Sequence, residues 1–134
     1  MAQAELDVTK VMILLQRKWN AIQEMNRLTR EMEDTFARND EVSVDMLLQL
    51  REDEMGKVDH CMEEIWQMGE GNAQVFGRLC QLIQSDPEEV SWNTPEEKKI
   101  CEIRKKTQSL LDELRKADQR LSQRMAGKKS FYKK

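Results

Sequence analysis

Between Asp7 and Arg38 apolar side chains recur at steps of three and four, with neither glycine nor proline among them. Val8, Val11, Leu15, Ile22, Met25, Met32 and Phe36 form one seam. Trp19 and Leu28 lie beside it and widen it, while Lys18 and Thr29 interrupt it. That period belongs to an α-helix, and the spacing is that of a bundle or coiled coil. At 1.5 Å per residue such a helix is about 45 Å long. A globule of short helices has no use for that length, but two long helices side by side do.

The rest of the chain follows the same logic. Arg38-Asn39-Asp40 breaks the pattern; Asn39 suits a left-handed C-cap, and Ser43 is the expected N-cap of a second helix. Val44, Leu47, Leu48, Met55, Val58, Met62, Ile65 and Trp66 mark the inner side of that helix, which ends near Met68 before Gly69-Glu70-Gly71-Asn72. So short a connection predicts an antiparallel hairpin. A third, shorter and more apolar stretch runs from Asn72 to Gln84, and Ser85-Asp86-Pro87 interrupts it. Trp92, in the following loop, is expected to plug one end of the bundle. Thr94-Pro95-Glu96-Glu97 reads as an N-cap, a proline at the first helical position and the glutamate of a capping box. The helix it opens has its seam at Ile100, Ile103, Thr107, Leu110, Leu114, Ala117 and Leu121, with Leu111 and Met125 beside it. Gly127 is the expected stop.

The expected fold is therefore all-α: a long antiparallel helical hairpin plus a short helix and a long C-terminal helix, bundle or coiled-coil-like. Residues 1–126 make one domain, and 127–134 make a basic disordered tail. Five glycines and two prolines leave few places to stop a helix. The apolar fraction of 39% is low for a thick core, which suits helices that each bury one stripe.

Charge is unevenly spread. Residues 95–134 carry 13 Lys+Arg and 6 Asp+Glu, an excess of +7 against a whole-chain net charge of -3. The simplest reading is a basic last helix lying against acidic earlier ones. Nucleic-acid binding would want a denser basic face with stacking aromatics, and none is present. No apolar run reaches the roughly 20 residues that cross a bilayer. Met1-Ala2-Gln3-Ala4-Glu5 lacks the basic and apolar regions of a secretory signal. Cys61, Cys80 and Cys101 are odd in number and widely spaced, which fits reduced thiols and a cytoplasmic location.

Catalytic chemistry finds little to work with. His60 is the only histidine, and one helix face shared with Glu64 supplies two metal ligands at most. The residue three before it is Lys57, where a Glu-x-x-His di-iron pattern needs glutamate. There is no phosphate loop and no nucleophile motif. The reading is a non-enzyme with no cofactor and no metal. The unusual feature is nine methionines, seven of them at Met12, Met25, Met32, Met46, Met55, Met62 and Met68. They either pack the hairpin or shape a groove for an amphipathic helix of another chain. The small or polar Thr107 and Ala117 weaken the seam of the last helix, so loss of the chain after about Asn93 is expected to change partner binding.

Three features carry a family resemblance: the size with its long first helix, the segment Asp45-Met46-Leu47-Leu48-Gln49-Leu50-Arg51 opening helix two, and Leu110-Leu111-Asp112-Glu113-Leu114 through Leu121. Over most of its length the chain resembles the small cytoplasmic chaperones of flagellar type III export that serve hook-associated proteins and the filament cap. Arg120 and Arg124 stand where that family has more neutral and apolar residues. The resemblance implies that the protein binds the helical C-terminal region of a secreted flagellar subunit, keeps it from assembling early and delivers it to the export machinery. It also implies client contact through the last helix, here Leu110, Leu111, Leu114, Ala117 and Leu121. On the residues alone two other readings stay open: a structural or adaptor coiled coil, including a homodimer, and a small regulatory helical domain.

Overall fold

The computed structural model describes residues 5–88 and 92–132, with side chains as far as residue 127. Four helices follow one another: α1 (Val8–Ala37), α2 (Glu41–Gln67), α3 (Ala73–Ile83) and α4 (Pro95–Tyr132). There is no strand among the described residues. The architecture is all-helical, with α1, α2 and α4 packed together.

Each helix start has a chemical cause. Asp7 caps α1 by accepting the Lys10 N–H at 3.0 Å. Asn39 takes the left-handed conformation expected of it, at φ 62°, and the Asp40 N–H turns back to the Thr35 carbonyl at 3.2 Å. The N-cap of α2 is Asp40 rather than the expected Ser43. Its carboxylate accepts the Ser43 N–H at 3.1 Å and the Ser43 hydroxyl at 2.6 Å, so the helix begins three residues earlier. Asn72 caps α3 through the N–H groups of Gln74 and Val75. Thr94 caps α4 as expected, accepting the Glu97 N–H at 3.2 Å. The Glu97 carboxylate reaches one residue further back than a standard capping box, to the Asn93 N–H at 2.7 Å.

Gly127 does not end α4; the helix continues to Tyr132. Its φ is not positive, no proline follows, and a helical glycine costs only about 1 kcal/mol against alanine. The expected tail thus begins inside the helix, and Lys133 and Lys134 lie outside the described residues.

The core is in two parts. The larger gathers Val11, Leu14 and Leu15 of α1, Ile65 of α2, Leu79 and Leu82 of α3, and Ile100 and Ile103 of α4. This is where all four helices meet, with the Trp66 and Phe76 rings 5.7 Å apart at its edge. Gly69 is buried against Phe76, where a Cβ would lie 3.0 Å from the Phe76 backbone. The smaller cluster is Ile22, Met25 and Leu114, with Val58, Leu110 and Leu111 beside it. Cross-helix pairs fix the directions: Arg30 with Glu113, then Glu33 with Arg120, so α4 runs parallel to α1.

Two expectations about single side chains need correcting. Met55 is not on the inner side of α2 but is 46% exposed; Arg51 takes the inward position between Val44 and Val58. Trp92 does not plug the bundle. It is 46% exposed, with the Lys98 ammonium 5.1 Å from its ring centroid, a cation–π contact at the surface. The charge complementarity also runs both ways: α4 supplies Arg120 to Glu33, but also Glu97 to Arg78 and Asp118 to Arg51.

Candidate partner-binding site

The five α4 residues singled out from the sequence lie on the side of α4 that meets α1. Leu114, Ala117 and Leu121 are buried. Leu110 and Leu111 are half-buried over the small cluster of Ile22 and Met25. The face is thus a packed surface in this conformation, and a partner reaches most of it only where α4 lifts away.

The two halves of α4 are held differently. Ile100 and Ile103 insert among apolar side chains from three other helices. Arg104 adds to this anchor by donating to the Leu82 carbonyl at 3.0 Å and to the Ser85 carbonyl, where it closes the C-terminal end of α3. The Arg78–Glu97 pair fixes the helix start, with the Glu97 carboxylate buried.

Beyond Thr107 polar groups enter the packing beside the buried Leu114, Ala117 and Leu121. Thr107 turns its hydroxyl back onto the Ile103 carbonyl at 2.8 Å, and Thr29 does the same to Met25. The Arg51 guanidinium donates to the Thr29 hydroxyl at 3.1 Å and pairs with Asp118. Asn26 is buried, and its side-chain carbonyl oxygen has no hydrogen-bond partner in the protein. A buried acceptor left unpaired costs about 1–3 kcal/mol. Asn26 stands one turn after Ile22, which packs with Leu114, and one turn before Arg30, which pairs with Glu113, so the side of α1 that faces this half of α4 mixes Ile22 and Met25 with Asn26 and Thr29.

A cleft of about 520 Å³ opens where the two halves meet, between α1, the α3–α4 connection and α4. Leu15, Met62, Ile83 and Leu111 supply its apolar wall, and Lys18 and Arg104 face it. Burial first, and the Arg104 charge second, hold the Lys18 ammonium below the ordinary lysine range. Met62 is one of the seven methionines of the first two helices. Met25 and Met32 are buried, Met12, Met62 and Met68 pack against the large core, and Met46 and Met55 are exposed.

His60 is a surface residue whose Nε2 lies 2.9 Å from Glu64, with 71% of its side chain exposed. Among the described residues no group of His, Cys, Asp and Glu could hold a metal ion, and the three cysteines are free thiols. No described helix is long and apolar enough to cross a membrane.

Sequence reasoning missed Asn26, Asp118 and the inward turn of Arg51. The signal for Arg51 was present: it stands seven residues after Val44 and seven before Val58, on the heptad that ends at Ile65. Compared with protein-family models, curated proteins and solved structures, the chain matches none of them.

Proposed function

We propose that this protein is a binding module for an amphipathic helix. Specifically, it acts as a cytoplasmic chaperone that holds the helical end of a secreted flagellar subunit, of the hook-associated or filament-cap kind, until export. It works by binding, with no chemistry of its own and no cofactor. The observation that carries this reading is the divided packing of α4: an anchored first half, and a second half laid over a floor that includes the buried, unpartnered Asn26 Oδ1. A helix held in that way is replaceable. A client helix with a better apolar stripe offers Ile22 and Met25 the same burial that Leu110, Leu111 and Leu114 give them. Exchange of one helix for another costs little net area, so client release needs only competition.

The test is calorimetric titration with the C-terminal helical segment of a hook-associated or cap subunit. The full chain is compared with one shortened after Ser109, which keeps the anchored half of α4. The shortened chain should bind more tightly, because it lacks the internal competitor. Equal affinities would remove α4 exchange from the mechanism, and no binding by either chain would remove the client class.

A further inference from the structure

We infer that the outer face of the first half of α2 is a separate docking surface for a basic amphipathic helix of another protein. Val42 is 73% exposed, Met46 61% and Leu50 50%. They stand at i, i+4 and i+8, so they form one line about 12 Å long on a single helix face. Isolated exposed apolar residues are ordinary, but three in register along one helix are an unfilled stripe. Val44 and Arg51 are the residues of this segment that turn into the bundle, so the stripe faces away from α1 and α4.

The charges around the stripe select its occupant. Asp45 stands three residues after Val42 and Asp53 three after Leu50, so both carboxylates flank the line, and both are exposed. Between Val42 and Asp53 the only cation in the sequence is Arg51, and it is committed to Thr29 and Asp118 inside. An apolar line in an acidic border fits a helix whose own apolar stripe is bordered by lysine or arginine. It repels nucleic acid and anionic lipid. It also disfavours a second copy of the same face, because pairing brings the Asp45 and Asp53 carboxylates of both copies to one interface. This surface is separate from the small core cluster under α4, which contains none of Val42, Met46 and Leu50.

The experiment uses the full chain and two short synthetic helical peptides. Both carry leucine at i, i+4 and i+8; one is flanked by lysine and the other by glutamate. Binding is followed by fluorescence anisotropy, and the contact face by backbone amide shifts. The lysine peptide should bind, the glutamate peptide at least about tenfold more weakly, and added salt should narrow that gap. Met46→Ser with Leu50→Ser should weaken the lysine peptide by about tenfold while the thermal melt stays in place, because both sites are exposed. Asp45→Lys with Asp53→Lys should reverse the peptide preference. Lysine-peptide binding untouched by both pairs of substitutions would overturn the assignment. So would a dimer, seen by sedimentation, that Met46→Ser with Leu50→Ser abolishes; the occupant would then be a second copy.

Discussion

The Arg51 guanidinium bridges all three long helices, leaving α2 to donate to Thr29 of α1 and pairing with Asp118 of α4. Only 18% of the Arg51 side chain is exposed, against 40% for Asp118. The guanidinium lies on the inner side of α2, in line with Val44 and Val58.

Removing the acid should therefore cost more than an ordinary surface pair. Asp118→Ala leaves the arginine half-buried with a single neutral acceptor, and we expect a loss of about 1–2 kcal/mol in urea unfolding. Arg51→Met should cost less, because methionine fills an inward heptad position without a charge to satisfy. A double-mutant cycle gives the coupling. Additive effects would show that the bridge contributes nothing beyond packing.

Asn26 is the complementary case. Its buried oxygen has no partner, so Asn26→Leu, which keeps the branch at Cγ in a larger apolar side chain, should stabilise the chain by about 1 kcal/mol. On the exchange mechanism the same substitution should weaken client binding by tightening the internal competitor. A lower melting temperature would indicate that the amide has a use the present packing does not reveal.

The glycines make a paired test of helix packing. Gly56 lies within α2 with open space where a Cβ would go, so Gly56→Ala should stabilise by about 0.5–1 kcal/mol. Gly69→Ala puts a methyl 3.0 Å from the Phe76 backbone and should destabilise, disturbing the α2–α3 turn and its Trp66–Phe76 contact. Thermal melts of the two variants should move in opposite directions, with tryptophan fluorescence changed only in the second.

Most of the helical layout was legible because it depends on short-range rules. The Asp7–Arg38 pattern has one period and no breaker, and Thr94-Pro95-Glu96-Glu97 announces its own helix start. The errors arose where two local rules competed or where a distant residue decided. Asp40 and Ser43 are both good N-caps, and the left-handed turn at Asn39 favours the earlier one. Gly127 resembles a stop, but a stop needs a positive φ that this glycine does not adopt. Met55 looks like a core residue and Arg51 like a surface one; Asp118, 67 positions away, reverses them. The division of α4 into anchored and replaceable halves was legible only in part. Thr107 marks the boundary in the sequence, but the polar floor of Asn26 and Thr29 depends on which side of α1 faces α4.

Lys18 tests the cleft through pH. Its folded pKa is below the ordinary 10.5 because burial, and then Arg104, disfavour the charged form; the Cys61 thiolate opposes them. A lowered lysine pKa means that the unfolded chain holds this proton more tightly than the folded one. Between the folded pKa and 10.5, unfolding takes up protons, so this group makes stability rise with pH across that window. Below the window the ammonium is charged in both states, and its burial counts against the fold. Lys18→Met should therefore raise stability at neutral pH, since methionine suits the apolar wall of Leu15, Met62 and Leu111. The variant's advantage should shrink as pH climbs through the window, because the wild-type lysine sheds its charge there. Urea unfolding of both proteins from neutral to alkaline pH isolates the effect as a difference, with other alkaline titrations common to both. Curves that stay parallel throughout would place the Lys18 ammonium in solvent and leave the cleft without its internal charge.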